Sequence, residues 1–267
     1  MPLIHPSAVI DPKAELDSSV EVGPFTVIDG SVRIGKGCRI GSGCRLTGDL
    51  EMGEDNILYH GAVIGEWPQH LAYDPSSVTG TRIGNRNTFR EYVTVHRAYE
   101  PGHNTMIGDD NFLMCNSHVA HDCILHNKII VVNSTLLAGH VEVYDGVVFS
   151  GNVMVHQFAR VGEYCMISGG AKLRMDVPPY CTIDGDCVMM GLNVIGLRRN
   201  NFDAASRAAI KKAYKIFFDT SLLKEDAIKK METEFGEFAP VQRIIEFWRT
   251  SQRGVTRSSI MNSGAAE

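Results

Sequence analysis

The sequence predicts an all-β solenoid, a parallel β-helix of hexapeptide repeats, with a C-terminal α-helical extension. Three observations predict it. Ile4, Ile10, Leu16, Val22, Ile28, Ile34, Ile40, Leu46, Met52, Leu58 and Ile64 stand six apart without omission, a period that neither a helix nor an ordinary strand produces. The residues two places earlier are mostly small or slender (Ala8, Ala14, Val20, Thr26, Val32, Cys38, Cys44, Ala62), so two columns face inward. Glycine follows the aliphatic residue at Gly23, Gly35, Gly41, Gly53, Gly65, Gly84, Gly108 and Gly162, where a backbone turning a corner tolerates a Cβ poorly.

Each repeat is one short strand and a turn, and three repeats make a triangular coil of about eighteen residues that stacks on the next at about 4.8 Å. Roughly ten coils are expected. A loop over about 65–82 (GEWPQHLAYDPSSVTGTR) interrupts the beat and shifts its phase by one residue, and a second interruption lies near 97–106, neither with strand patterning of its own. The beat returns at Ile83, Phe89 and Val95, then runs from Ile107 to Leu173, with Ser117, Cys123, Thr135, Val141, Val147, Val153, Ala159, Cys165 and Ala171 in the slender column. DVPPY, from Asp176 to Tyr180, is a proline-bearing stop. Beyond Phe202 the text is helical: Asp203 is the expected N-cap of a helix with Ile210, Tyr214, Ile216 and Phe217 on its apolar face. Two further helices are expected, near 222–235 and from Pro240, and the stretch from Gly254 reads as a frayed tail. The division is therefore a β-helix over 1–190 and a helical unit over 191–267. Hexapeptide repeats of this aliphatic-glycine type resemble the left-handed parallel β-helix class; the handedness comes from that resemblance and runs against the usual right-handed crossover.

Composition excludes several classes. No stretch has the length and apolarity of a membrane span, and MPLIHPSAVI has neither a charged start nor an apolar run, so a cytoplasmic protein is expected. Of seven cysteines, Cys38, Cys44, Cys123 and Cys165 fall in the inward column and no CxxC occurs, which favours reduced core thiols over disulfides or metal ligands. Residues 1–197 hold 13 lysines and arginines against 22 acids, whereas 198–267 hold 13 against 9. The basic excess gathers in Arg198, Arg199, Arg207, Lys211, Lys212 and Lys215, a solvated helix face or a dock for an acidic partner or phosphate. A pI near 6.1 with so local a patch argues against nucleic acid.

Histidines gather in the middle coils at His118, His121, His140 and His156, within NSHVAHDC, LAGHV and VHQF. With an eighteen-residue coil, Asp122 and His140 occupy equivalent positions of successive coils, as do His121 and Gly139. All four lie beside the inward column, so the side chains are expected outward along one strip. Three chemistries could use them: zinc binding, as in a trimeric β-helix hydratase resembling the gamma-class carbonic anhydrases; general-base catalysis by His121 with Asp122 holding its ring; or cysteine-nucleophile catalysis by Cys123, disfavoured because that sulfur points inward.

HVAHDC, LAGHV, VHQF, DVPPY and GLNVIGLRR ahead of AYKIFF, in that order over nearly the whole chain, resemble the UDP-N-acetylglucosamine 3-O-acyltransferase family of lipid A biosynthesis. The resemblance implies transfer of a 3-hydroxyacyl chain from acyl carrier protein to the glucosamine 3-hydroxyl of a UDP-sugar by a homotrimer with sites between subunits. It implies His121 as general base, Asp122 as its orienter and the Gly139 N–H as donor to the oxyanion. It further implies His118, His140, His156, Gln157 and loop residue Gln69 around the sugar and phosphates. Asn193 and Arg199 fall at the nucleotide end, and Gly169 where acyl length is set. The patch of Arg198, Arg207, Lys211, Lys212 and Lys215 is expected to meet the carrier protein. No metal or other cofactor is implied, since a thioester is already activated. The chain departs from the family pattern at His70 and Ala72, where an acid and a lysine are usual, at Ile195 and Asn200, and at Cys187. These departures touch substrate binding and raise the alternative of a modified acceptor, a 3-amino UDP-sugar accepting an amide-linked chain.

Overall fold

A computed structural model describes residues 3–258. The strands, mostly two residues long, stack into three sheets of 12, 9 and 8 strands, parallel except for one hairpin in the largest, and the sheets form the three faces that the six-residue beat requires, in a left-handed triangular prism. Registry follows the coil: Leu3 pairs with Glu21, Val9 with Val27 and Glu15 with Arg33, each eighteen residues on. Ile28, Leu46, Ile64, Val95, Val119, Leu137 and Leu173 are fully buried in one ladder, with Thr26, Ala62, Ser117, Thr135, Val153 and Ala171 in the slender column beside it. Each fully buried aliphatic side chain contributes about 1.5–3 kcal/mol, and the ladder runs the length of the prism. Cys38, Cys44, Cys123 and Cys165 lie inside as free thiols, and burial pushes that of Cys123 up to about 12.

The interruptions have a simple arithmetic. Ile57 pairs with Thr88, 31 residues away, so the first insertion adds 13 residues to a regular coil. Thr88 pairs with Phe112, 24 residues away, an insertion of six that preserves phase. The odd residue of the first insertion is absorbed by a bulge between Ile64 and Glu66, where Gly65 has φ of 80° and its missing Cβ would stand 2.3 Å from the Thr47 carbonyl oxygen. Both loops are shorter than expected, because strands Val63–Glu66, Gly80–Ile83 and Asn104–Ile107 continue into them. Inside the prism at these coils Asn56, Asn87 and Asn111 stack: each side-chain oxygen accepts a backbone N–H of the next coil at 2.8–2.9 Å, and each amide nitrogen donates to a carbonyl.

Corners repeat a left-handed backbone position every sixth residue. Asp110, Asn116, Asp122, Lys128, Ser134, His140, Asn152, Phe158 and Tyr164 have φ between 53° and 64°, and Gly146 and Gly170 complete the series. Asp122, His140 and Phe158 therefore share one corner in three successive coils.

The β-helix ends at DVPPY, where Tyr214 Oη donates to the Pro179 carbonyl at 2.6 Å. An antiparallel hairpin, Cys181–Asp184 with Val188–Leu192, follows and was not legible in the sequence. Helix α1 (Val194–Arg199), also unanticipated, is capped by Asn193. Helix α2 (Ala204–Phe217) has its expected N-cap, with Asp203 accepting from the Ser206 N–H at 2.6 Å, and buries Ile210, Tyr214, Ile216 and Phe217. Helices α3 (Lys224–Phe235) and α4 (Ala239–Thr250) match the two other expected helices. The expected fraying from Gly254 is corrected: Thr256 is buried, and Arg257–Ser258 pair in parallel with Val188–Met189, because the chain returns to the open edge of the hairpin. The remainder of that tail lies outside the described residues.

Candidate active site

The corner carrying Asp122, His140 and Phe158 assembles the site. His121 Nδ1 lies 2.8 Å from Asp122 Oδ2, and the same oxygen accepts the Tyr99 N–H at 2.8 Å from the second loop. The Glu100 N–H reaches Oδ1 at 3.4 Å, and the Asp122 N–H donates to Thr105 Oγ1 at 2.9 Å. Burial works to raise the Asp122 carboxyl, but the hydrogen bonds from His121 and Tyr99 and the nearby His140 hold it below the ordinary carboxylate value. Fixing Nδ1 to a carboxylate leaves His121 Nε2 as the acceptor.

That ring lies against Gly139 of the next coil. A Cβ at Gly139 would stand 2.6 Å from Cε1 and 2.7 Å from Nε2 of His121, so only glycine admits the imidazole here. Gly139 is a buried residue whose N–H donates to no group among the described residues. His140 packs edge-on to His121 with centroids 5.2 Å apart, stacks on Phe158 at 4.5 Å, and places Nε2 3.9 Å from Asp122 Oδ2. Burial lowers the pKa of His140, and pushes that of His118 down to about 4, with His96 and His121 adding repulsion. His118 Nδ1 lies 2.7 Å from Thr94 Oγ1. Both are thus neutral at pH 7, and of the strip only His121 makes a hydrogen bond of ordinary length to Asp122.

The ligand atoms of His121, Asp122 and His140 fall within 4.8 Å of one another, close enough to hold a cation. Asp122 already accepts from His121, Tyr99 and Glu100, so a cation there would compete with these donors for the carboxylate. Cys123 points inward, which removes the thiol nucleophile.

The family described as Udp N-acetylglucosamine O-acyltransferase, Domain 2, matches residues 176–256, and that described as bacterial transferase hexapeptide (six repeats) matches 13–48. A protein of Halorhodospira halophila named acyl-[acyl-carrier-protein]--UDP-N-acetylglucosamine O-acyltransferase is 42% identical over 96% of this chain and 100% of its own length. One of the same name from Anaeromyxobacter sp. is 46% identical over 95% of this chain and 99% of its own. The chain belongs to the UDP-N-acetylglucosamine O-acyltransferase family. The crystal structure of the Francisella novicida UDP-N-acetylglucosamine acyltransferase superposes on it with a TM-score of 0.92, at 33% identity, covering 99% of this chain and 98% of that one.

Within one chain of this acyltransferase family member, not every expected site residue meets the histidine corner. His118, His121, Asp122, Gly139 and His140 do; His156 and Gln157 lie exposed on the coil below. Gln69 is exposed on the first loop beside His70, whose ring packs tilted against Tyr99 at 4.0 Å and stands edge-on to His121 at 5.7 Å. Asn193 donates to the Tyr164 carbonyl and caps α1, while Arg198 and Arg199 are exposed at the end of that helix; these belong to a different corner of the prism. Gly169 lies exposed at a third corner. The basic patch divides: Lys211 and Lys215 flank an apolar groove with Leu192 and Phe218, whereas Arg207 donates to the Phe202 carbonyl and Lys212 sits 5.8 Å over the Phe235 ring. The sequence reading missed Tyr99, Phe158 and Arg253. Phe158 could have been found by adding one coil to His140; Tyr99 acts through its backbone and Arg253 arrives from the far end of the chain.

Proposed function

We propose that this chain moves a 3-hydroxyacyl group from acyl carrier protein to the 3-position of UDP-N-acetylglucosamine, the first step of lipid A biosynthesis. The observation that carries it is the imidazole of His121, held by Asp122 and laid over the Gly139 peptide, in a chain whose full-length relatives bear that activity in their names. His121 Nε2 removes the proton of the glucosamine hydroxyl as its oxygen attacks the thioester carbonyl. The Gly139 N–H donates to the oxyanion of the tetrahedral intermediate, and collapse expels the carrier thiolate, which takes its proton from the imidazolium. Neutral His118 and His140 supply N–H donors to the sugar, with His156, Gln157 and Gln69 further along the acceptor.

A homotrimer completes this reading. Asn193, Arg199 and Gly169 sit on other corners, so they reach the histidine strip only from a neighbouring copy, where they would hold the nucleotide and measure the acyl chain. Arg198, Lys211 and Lys215, with Arg207 and Lys212 behind them, form the carrier-protein dock. We place the enzyme in the cytoplasm, and no helix among the described residues is long and apolar enough to cross a membrane. The division at about residue 190, between β-helix and helical unit, belongs to the same proposal.

The test is turnover of 3-hydroxyacyl carrier thioesters with UDP-N-acetylglucosamine and with its 3-amino analogue. Wild-type protein is expected to acylate the first, and His121→Ala to lose at least ~100-fold with its fold intact. Exclusive use of the 3-amino sugar would move the acceptor to the variant that His70, Ala72, Ile195 and Asn200 suggest. Stoichiometric zinc with hydratase activity, or an undiminished His121→Ala rate, would overturn the mechanism.

A further inference from the structure

We infer that Arg253 is a phosphate-binding residue of the active-site groove, delivered there by the return of the C-terminal segment. This rests on the acyl-transfer reading for the identity of the phosphate, though not for its chemistry. A groove of about 940 Å³ runs from Asp122 and His140 across Met106, Ile124 and Phe158 to Gln252 and Arg253. Its near end holds Asp122, which grips the base, and Met106, Ile124 and Phe158 supply apolar surface alongside Glu142 and Arg160, so the far end is where a long substrate would place a further polar group.

The backbone on both sides of Arg253 is pinned to one buried carboxylate residue. Asp176 is 1% exposed; it accepts Ser251 Oγ at 2.8 Å, donates its N–H to the Gly254 carbonyl at 3.0 Å and accepts the Thr256 N–H at 2.9 Å. Thr256 Oγ1 also donates to the Cys187 carbonyl. Gly254 turns with φ of 76°. A segment held this firmly presents one side chain in a fixed place.

The Arg253 guanidinium is not neutralised. Nearby Arg160, Arg243 and Arg249 are paired with Asp176, Glu163 and Glu232. Arg253 instead donates to the Arg174 carbonyl, at 3.0 Å from Nη2 and 3.3 Å from Nε, and sets Nη2 3.3 Å from His156 Nδ1. His156 Nδ1 also lies 3.1 Å from the Gln157 carbonyl oxygen. Among the described residues no carboxylate reaches Arg253. A guanidinium with a free edge next to an imidazole, in a groove whose acid at that end, Asp176, is already engaged by Arg160 and Ser251, is built for a phosphate.

Distance bounds which phosphate. Residues 121, 139, 157 and 175 occupy successive coils, so the base and the level of Arg253 are about 14 Å apart along the corner at about 4.8 Å per coil. Either substrate carries a phosphate that can lie along such a path: the diphosphate of the nucleotide sugar, or the phosphodiester joining the carrier protein to its thiol arm.

The full-length protein is compared with Arg253→Met and Arg253→Lys, each substrate being varied in turn. A rise of at least ~10-fold in the KM of one substrate in Arg253→Met, a smaller rise in Arg253→Lys and a kcat within ~3-fold of wild type are expected. The substrate whose KM moves identifies the phosphate. Unchanged KM values for both substrates, or a loss of kcat matched by a lowered melting temperature with KM constant, would overturn the assignment and leave a merely structural strap. A second readout does not depend on turnover: millimolar inorganic pyrophosphate should raise the melting temperature of wild type and not of Arg253→Met. An equal response in both would overturn the inference even if the acyl-transfer reading holds, and a lost response would sustain it even if that reading fails.

Discussion

A methyl group at position 139 would stand 2.6 Å from Cε1 of His121, so Gly139→Ala must push the imidazole off the Gly139 peptide. Since the displaced group is a side chain, the coil survives and the cost falls on aim. The expected outcome is a fall in kcat of about 10²-fold with KM little changed, because misplacing a base by an ångström forfeits the oriented geometry. Steady-state kinetics check it, and a wild-type kcat would separate the base from this glycine. His118 gives a pH prediction. Its folded pKa is pushed down to about 4, chiefly by burial, while an unfolded imidazole titrates near about 6.5. Between these values the unfolded chain binds a proton that the native chain lacks, so stability is full above about pH 6.5 and falls as pH drops through the window. The loss from pH 7 to pH 5 is about 2 kcal/mol. His118→Gln should flatten the dependence of the denaturation midpoint over that range; an unaltered slope would place the acid sensitivity elsewhere.

The asparagine ladder lets the β-helix carry two insertions without losing registry. In Asn87→Ala, the Asn111 N–H and the Gly108 carbonyl oxygen would lose their side-chain partner inside the prism. About 3 kcal/mol of destabilisation is expected from groups so stranded, measured by chemical denaturation, and a change below 1 kcal/mol would mean that water or a backbone shift takes over. The elements differ in how far they could be read. The coils were legible because the inward positions keep one period from Ile4 to Ile64 and again, one residue out of phase, from Ile83 to Leu173, and α2 because Asp203 and its apolar face are local signals. The hairpin over 181–192, α1 and the returning strand at Arg257–Ser258 were not, since each owes its place to an edge or surface made elsewhere. The site divides likewise. The pairing of His121 with Gly139 and of Asp122 with His140 follows from coil arithmetic, and the roles expected of them from the family resemblance, while Tyr99 contributes only a peptide N–H and Arg253 reaches the groove through Asp176, which no spacing rule connects to it.

At the scale of the whole molecule, the histidines occupy one corner and Asn193 and Arg199 another, so an assembly with sites shared between copies makes a quantitative demand. Mixing His121→Ala and Arg199→Ala subunits by unfolding and refolding them together should restore activity to about a quarter of wild type, the fraction of interfaces at which two intact halves meet. Activity no higher than that of either variant alone would place each site within one chain, and light scattering showing a monomer at micromolar concentration would exclude the trimer directly.

The left-handed corner backbone has a consequence for how such an enzyme can change. At the working corner, three consecutive rungs give this position to Asp122, His140 and Phe158, although an unbranched amide or no side chain at all would sit there more comfortably. Drift toward easier folding therefore runs directly against catalysis at this edge of the molecule, and toward neutrality at the other two. Improved variants selected only for robustness should collect their asparagines and glycines everywhere along the rungs except here.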